Sequence, residues 1–317
     1  MYNEFESYIW TDAEEKATMD KGLTFRRIHD YCGRVRGFYD ADEQIWILKS
    51  VAHDSPEIPL QNMLASHPSP LNHTLPAEVI PCSGTYLILT PFIMEASIVT
   101  WESLDEIFVV AEQYLEGLQF MHQLGIAHLD LHAENLMYDR EPHSTTGPLA
   151  TRGRRAYIID FGLSKQFPPI SGLTNGTTVV PFQKNVGHYD PPEGIEAVNP
   201  YAYDIYCMGW VIESFCMSTT WDCDRPPPIR VTPAIWALCA TLSSDDSEKR
   251  PSAGHALALV RLLRVWVKMT RWLYWFLPYH DADGIELCGW RIIDWIVHCS
   301  RAYRVSEARI LKTRVRS

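Results

Sequence analysis

Two short segments carry the side chains with the clearest chemical potential. Residues 126–137 read Ile-Ala-His-Leu-Asp-Leu-His-Ala-Glu-Asn-Leu-Met and place Asp130 and Asn135 in one loop. A later segment, Ile-Ile-Asp-Phe-Gly, supplies Asp160 directly after an apolar run. Carboxylate and amide oxygens are the ligands that Mg²⁺ prefers in proteins. The set therefore predicts a site in which metal ions neutralise phosphates while one carboxylate orients an attacking hydroxyl.

Both segments resemble motifs of the protein kinases. The first is similar to the catalytic loop H-R-D-x-K-x-x-N, and the second is similar to the D-F-G metal loop that follows it. The resemblance implies that Asp130 is the catalytic base and that Asn135 and Asp160 bind Mg²⁺. It also implies ATP as the phosphoryl donor. His128 is then a structural residue that braces the loop and does not transfer a proton in the reaction.

A lysine upstream completes the resemblance. Lys49 ends the apolar run Ile-Trp-Ile-Leu and resembles the lysine that holds the ATP phosphates in kinases. We predict Glu57 as its acidic partner on the following helix. Pro59 places Glu57 in the first helical turn, where a surface carboxylate that favours the helix start is the alternative role.

The segment before Lys49 departs from the family pattern. Kinases carry G-x-G-x-x-G there, whereas this chain has Cys-Gly-Arg-Val-Arg-Gly, with glycines at Gly33 and Gly37. Gly33 is the predicted nucleotide-binding glycine. The backbone amides of residues 32–37 are expected to cover the phosphates, with Arg34 or Arg36 adding positive charge.

Three later motifs resemble structural parts of a kinase domain. Gly-His-Tyr-Asp-Pro-Pro-Glu ends at Glu193, and Asp204 opens a D-x-x-x-x-G helix that anchors the catalytic loop. Arg250, in Lys-Arg-Pro, is predicted to pair with buried Glu193. The resemblance covers residues 22–265. Together with the catalytic loop, the stretch that begins Leu71-Asn-His-Thr is most similar to kinase-domain proteins of mushroom-forming fungi.

Three positions differ from the family in ways that bear on regulation and substrate. Leu129 replaces the arginine that meets a phosphorylated activation loop, so no such phospho-switch is expected. His132 replaces the catalytic-loop lysine, and Val186 stands where Ser/Thr kinases carry threonine. The substrate class stays open, with Ser/Thr favoured over Tyr. His132 either donates to the γ-phosphate or packs the loop.

Three functions fit these residues. The first is a protein kinase that transfers the γ-phosphoryl of MgATP to a protein hydroxyl. The second is a non-catalytic kinase-like scaffold, suggested by the incomplete glycine loop, Leu129 and His132. The third is a small-molecule phosphotransferase, because His-x-Asp-Leu-His-x-x-Asn also resembles the loop of aminoglycoside and choline kinases. Asp160-Phe-Gly, Glu193 and Arg250 argue against the third.

The elements that must position these residues change character along the chain. Strands are predicted at Leu23–Ile28, Ile45–Val51 and Tyr86–Phe92, with a short helix at Leu60–Ala65. Helical spacing follows from Phe108 to Leu124 and at Tyr203–Phe215, Thr232–Leu242 and His255–Val267. We predict an α+β, two-lobed kinase-like fold with a ligand cleft between the lobes. The predicted divisions are residues 1–21 (extension), 22–93 (N-lobe), 94–265 (C-lobe) and 266–317 (tail).

Composition excludes several classes. The net charge of −11 argues against a general nucleic-acid binder. Eight scattered cysteines without C-x-x-C pairs predict buried thiols in a reducing compartment. No signal peptide or 18-residue apolar run is visible, so we expect a cytoplasmic protein without a membrane span. Residues 140–155 are expected to form a surface hairpin insertion.

The tail is basic and rich in tryptophan. Arg261, Arg264, Lys268 and Arg271 fall on one helical face, with apolar residues opposite. Such a helix either lies on a membrane surface or packs its apolar side on its own domain. We favour packing, with the basic face meeting the acidic remainder of the chain.

Overall fold

The structure is a computed structural model that describes residues 8–30, 32–143, 147–167, 176–182, 189–218, 233–270 and 284–297. A five-stranded antiparallel sheet forms the smaller lobe. Its strands are β1 (Thr24–Ile28), β2 (Val35–Tyr39), β3 (Ile45–Ala52), β4 (Glu78–Pro81) and β5 (Thr85–Pro91), in the spatial order β1-β2-β3-β5-β4. The central strand β3 pairs Lys49 with Val35 on one side and Ile88 on the other.

Two helices pack on this sheet. The first, α1 (Asp12–Asp20), starts with a capping box in which Thr11 and Glu14 satisfy each other's backbone amides. Buried Trp10, just before it, joins Phe38 and Leu48 of the sheet in one apolar cluster. The second helix, α2 (Glu57–Ala65), follows β3. Residues 8–20 are therefore packed on the small lobe through their buried residues Trp10, Glu14 and Thr18.

Helix α2 begins three residues earlier than predicted. Pro56 caps it, and Pro59 sits at the third helical position. The first amides of an α-helix have no intrahelical acceptor, so a proline there removes no hydrogen bond. This extra turn brings Glu57 into the helix.

The larger lobe is mainly helical. Its helices are α3 (Leu104–Gln123), α4 (Pro200–Ser218), α5 (Pro233–Leu242), α6 (Ala253–Thr270) and α7 (residues 284–297). Two short antiparallel pairs lie among them: β6 (Ile126–Ala127) with β9 (Lys165–Gln166), and β7 (Leu136–Asp139) with β8 (Arg155–Ile158). One continuous apolar core contains α3, α4, α5 and α6. The two-lobed α+β prediction is confirmed.

The predicted strands and helices agree with the structure, apart from their ends. Strands β2 and β4 were not predicted from the sequence. The insertion joins β7 to β8 as the expected hairpin, although residues 144–146 lie outside the described part of the chain. None of the described helices combines the length and apolarity needed to cross a membrane.

The cysteines are only partly as expected. Cys207, Cys216 and Cys239 are buried, and burial raises the pKa of the Cys216 thiol to about 12. Cys32 and Cys288 are exposed, because one lies in a surface loop and the other on the outer side of α7. The prediction of buried thiols is therefore wrong for these two.

The basic face of α6 lies on α3. Arg264 contacts Asp105 at 2.6 Å and Glu112 at 3.1 Å, and Lys268 contacts Asp105 at 2.9 Å. Arg261 pairs with Glu116. Trp290, Ile293 and Val297 of α7 are buried in the same core. The described residues thus show the packing alternative for this helix, and the predicted boundary at 265/266 falls inside α6. Arg271 lies outside the described residues.

Candidate active site

A cleft of about 430 Å³ lies between the sheet and the helical lobe. Ile47, Ile88 and Thr90 line it from the sheet, and Met137 and Ile158 line it from the β7–β8 hairpin. Its polar lining includes Lys49, Glu57, Asn135 and Asp160. A mostly apolar wall with a few convergent polar groups is typical of a small-molecule site.

Lys49 joins the two lobes through ion pairs. Its ammonium lies 2.9 Å from the Glu57 carboxylate and 2.7 Å from Oδ1 of Asp160. Strand β3 sits in the middle of the sheet, and α2 presents Glu57 from its first turn. Glu57 is therefore the partner of Lys49 in this structure and is not a surface carboxylate, since its side chain is 5% exposed.

These contacts and the burial of the groups shift the pKa values of Lys49, Asp160 and Glu57. Burial opposes the charge on Lys49, but attraction to Asp160 and Glu57 outweighs it and holds the pKa of the ammonium above its usual value. Burial likewise opposes ionisation of Asp160, yet Lys49 keeps the pKa of that carboxyl below its usual value. The pKa of Glu57 is raised, chiefly by burial. Lys49 and Asp160 are thus a charged pair.

Asp204, in α4, holds the start of the catalytic loop in place. Its carboxylate accepts hydrogen bonds from the backbone amides of His128 and Leu129, each at 2.8 Å, and contacts Nε2 of His122 at 2.9 Å. Leu129 has a φ of +66°, which lies in the left-handed region of backbone conformations. This conformation is strained for residues other than glycine. The buried carboxylate holds the loop in this conformation.

Asn135 connects the loop to the rest of the site. Its Nδ2 donates to the carbonyl of Asp130 at 2.8 Å and to the Asp130 carboxylate at 3.2 Å. The same nitrogen lies 3.0 Å from Nε2 of His132. The amide of Ile159, one residue before Asp160, donates to the carbonyl of Asn135 at 3.1 Å. Asp130, Asn135 and Asp160 are thereby brought into one neighbourhood.

His128 has the bracing position expected of it. It is fully buried, and its Nε2 lies 2.9 Å from the carbonyl of Ile159. Its ring is 5.5 Å from the buried ring of Phe161. Asp160 itself has a φ of +63°, and its Oδ1 accepts from the amide of Gly162 at 3.1 Å. His128 therefore links the backbone that carries Asp130 to the backbone that carries Asp160.

The buried pair predicted far from the cleft is present. Arg250 is fully buried and donates from both terminal nitrogens to Glu193, at 3.0 and 2.5 Å. Its Nε also donates to the carbonyl of Ser244 at 2.8 Å. Such two-pronged pairs fix geometry as well as charge. The segment that ends at Glu193 is thus tied to the start of α6.

Comparison with known families agrees with this geometry. The family model described as the protein kinase domain matches residues 89–259, which is more than half of the chain. The chain belongs to the protein kinase domain family. The search of the curated proteins returned no match. The matched region begins inside β5, so Lys49 and Glu57 precede it and are placed in the kinase site by their contacts alone.

The phosphate-covering loop differs from the kinase-based expectation. Asp30 and Val35 line the cleft, but Gly33 does not. The expectation that Arg34 or Arg36 adds charge to the cleft is wrong. Arg36 pairs with Glu15 at 2.7 Å, and Arg34 lies over the ring of Tyr8. Neighbouring strand residues point to opposite faces, and Val35 already faces the cleft.

Two cleft residues were missed by sequence reasoning. Arg27 and His29 line the cleft from β1 and its end, and Arg27 Nε lies 3.1 Å from His29 Nε2. Burial, followed by the nearby positive charges of Arg27 and Arg26, lowers the pKa of His29. Arg27 and His29 are two positions apart, and alternate residues of a strand point to the same face of the sheet. This spacing was the sequence signal that could have identified both as residues of the cleft.

The donor set suits a hard cation. In the described parts of the chain, no three His, Cys, Asp or Glu side chains converge as a metal cluster. Asn135 directs its amide nitrogen to Asp130, so its amide oxygen is the atom that would bind a cation together with the Asp160 carboxylate. Mg²⁺ commonly takes one or two protein oxygens and completes its shell with phosphates and water. The residues therefore fit the kinase family's Mg²⁺.

Most neighbours of Leu129 are apolar. This buried side chain lines a small space together with Leu163, Val180, Pro181, Phe182 and Val198, and Lys165 lines the same space. Val180 and Val198 form an isolated antiparallel bridge beside it. Val186, the other departure in this segment, lies outside the described residues. The described surroundings of Leu129 are thus largely apolar where the family has an arginine.

Proposed function

We propose that the protein transfers the γ-phosphoryl group of MgATP to a protein hydroxyl, with Ser or Thr favoured over Tyr. The observation that carries the proposal is the ammonium of Lys49 between Glu57 and Asp160, on the same cleft as Asn135. Phosphoryl transfer depends on positioning and charge neutralisation, and these groups supply both.

Each residue has a defined task in this proposal. Lys49 holds phosphate oxygens, and Glu57 fixes the position of Lys49. Asp160 and Asn135 hold Mg²⁺, which neutralises charge on the phosphates when bound. Asp130 orients the acceptor hydroxyl and takes its proton, while Asn135 keeps the Asp130 carboxylate in place through the 3.2 Å hydrogen bond.

A transfer assay tests the proposal. Full-length protein with radiolabelled ATP and a peptide array should label Ser or Thr peptides, and Lys49→Met should lower the rate about 10²-fold, because a preorganised cation is lost. Lys21→Met is the matched control, since Lys21 forms an exposed ion pair with Glu78 on the same lobe. Equal labelling by wild type and Lys49→Met would remove the assignment.

A non-catalytic scaffold is the second candidate. The Asp30 carboxylate at the cleft favours it, as does the loop in which only Gly33 and Gly37 stand in place of the family's three glycines. MgATP binding without turnover, unaffected by Asp130→Asn, would support this reading. Labelling of aminoalcohols or aminoglycosides in place of peptides would indicate a small-molecule phosphotransferase.

His132 gives a further prediction. Its Nε2 lies 3.0 Å from Asn135 Nδ2 and 3.5 Å from Asp130 Oδ1, between the proposed base and a proposed metal ligand. We expect His132→Ala to lower kcat about tenfold, the equivalent of one hydrogen bond, with little change in KM for ATP. Steady-state kinetics measure both. An unchanged kcat would show that His132 only packs the loop.

A further inference from the structure

The side chain of Asp30 holds the loop between β1 and β2 through hydrogen bonds from nearby backbone amides. The Asp30 carboxylate accepts hydrogen bonds from the backbone amides of Val35 at 3.0 Å and Arg34 at 3.2 Å. Gly33, with a φ of +74°, makes the turn between them. Asp30 and Val35 line the cleft, so the conformation of this loop determines the shape of that part of the cleft. Two amides of the loop are already bonded.

Residues that precede α1 donate hydrogen bonds to the carbonyl groups of the same loop. The amide of Tyr8 donates to the carbonyl of Cys32 at 2.6 Å. The indole Nε1 of Trp10 donates to the carbonyl of Gly33 at 3.0 Å. Trp10 is 5% exposed and packs on Phe38, with the ring centres 5.8 Å apart. Both bonds therefore come from a segment that is itself fixed.

Two arginine side chains, Arg34 of the loop and Arg36 of β2, face the same segment. The guanidinium of Arg34 lies 4.2 Å from the ring centre of Tyr8, and that of Arg36 lies 4.5 Å from the ring of Trp10. Arg36 also pairs with Glu15. Cation–π contacts and the ion pair add to the attachment. The positive charges thus attach the end of the loop and the start of β2 to residues 8–15.

Helix α1 is in turn fastened to the strand that carries Lys49. Glu14 is fully buried, and its carboxylate accepts from Ser50 Oγ at 2.5 Å and from Thr85 Oγ1 at 3.0 Å. Ser50 follows Lys49 in β3, so its side chain points to the opposite face of the sheet. One chain of contacts therefore runs from Lys49 through β3 and α1 to the loop.

We propose that residues 8–20 act as a clamp that holds the β1–β2 loop in one conformation over the cleft, and that Tyr8 and Trp10 are thereby positioning residues for nucleotide binding. Glycine-rich loops are mobile, because glycine has the widest choice of backbone conformations. This loop has lost that freedom. Its external contacts order it before a ligand arrives, which lowers the entropic cost of binding. The role in nucleotide binding rests on the proposed function, whereas the ordering of the loop does not.

Trp10→Phe tests the clamp in the full-length protein. Phenylalanine keeps an aromatic ring in the core, but it removes the donor to Gly33 and one ring of the indole. Hydrogen exchange of the Arg34 and Val35 amides, measured without nucleotide, should become about tenfold faster, as expected for one lost hydrogen bond. KM for ATP should rise by a similar factor while kcat stays within about twofold. If Trp10 only stabilised the fold, the substitution would not change KM for ATP and kcat by different factors.

Trp46→Phe is the matched control. The Trp46 indole donates to Asp40 Oδ2 at 2.8 Å on the same sheet, away from the loop. Loop exchange in this variant should equal that of wild type. Glu15→Ala provides a surface change that frees Arg36 without altering the core, and it should speed loop exchange by a smaller factor.

The outcomes separate the clamp from the proposed function. Equal loop exchange in Trp10→Phe and wild type, or the same acceleration in Trp46→Phe, would overturn the clamp. Faster exchange with an unchanged KM would overturn its role in nucleotide binding. Wild-type protein that shows no shift in melting temperature with MgATP would contradict the proposed function, and the exchange measurement would still decide the clamp.

Discussion

Replacement of Asp160 with asparagine should lower the rate of phosphoryl transfer about 10³-fold. The substitution keeps the size of the side chain and removes its charge, so it takes away both a cation ligand and the ion pair with Lys49 at 2.7 Å. Electrostatic groups aimed at transferring phosphates are usually worth factors of this size. Transfer from radiolabelled ATP and the MgATP-induced rise in melting temperature would both be measured.

A carboxylate elsewhere in the larger lobe provides the control for this variant. Asp139 lies on the β7–β8 hairpin, and burial raises the pKa of its carboxyl. It makes no contact with Lys49 in the described residues, so Asp139→Asn should leave the transfer rate within about twofold. Wild-type turnover in Asp160→Asn would end the assignment of Asp160 as a metal ligand.

Replacement of Arg250 with methionine should lower the free energy of unfolding by about 3–5 kcal/mol. Arg250 has no exposed surface, and its removal leaves the Glu193 carboxylate without its cation and the Ser244 carbonyl without its donor. Breaking a buried ion pair at one partner typically costs this much. Urea denaturation would measure the change.

The neighbouring lysine is the control for Arg250. Lys249 is exposed and pairs with Asp246 on the surface, so Lys249→Met should change stability by less than about 0.5 kcal/mol. Adding Glu193→Gln to Arg250→Met should cost less than the sum of the two single changes, because the unpaired charge is gone. A loss below about 1 kcal/mol in Arg250→Met would mean that the pair contributes little.

The candidate catalytic residues could be proposed from the sequence because their chemistry restricts which side chains can serve. Asp130, Asn135 and Asp160 stand in short motifs, and local sequence was enough to find them. The anchoring role of His122 could not be found in this way. It depends on a contact with Asp204, which lies 82 positions later in the chain.

The missed strands have local physical reasons. Strand β2 contains Gly37, which weakens a strand pattern, yet a Cβ at that position would lie only 2.6 Å from the His29 ring. Strand β4 has four residues and ends in Pro81 at the edge of the sheet. At Gly37 tertiary packing selects a residue that strand propensity disfavours, whereas Pro81 is tolerated because it is exposed at the end of an edge strand.

The first helix shows the opposite situation, in which a readable signal was overlooked. Thr11 and Glu14 form a T-x-x-E capping box, which marks a helix start. Residues 1–21 are predicted from the sequence only as an N-terminal extension. Its attachment depends on Trp10 and the buried Glu14, whose partners lie on β3 and β5. Composition does not reveal partners that distant.

The aliphatic surroundings of Leu129 have a thermodynamic consequence. A contact made by leucine and valine side chains carries no charge that dissolved ions can screen. Its strength instead depends on the hydration of apolar surface and declines on cooling. The aliphatic part of this contact is therefore little affected by ionic strength and weakens on cooling, whereas any interaction of Lys165 at the same space is screened by salt.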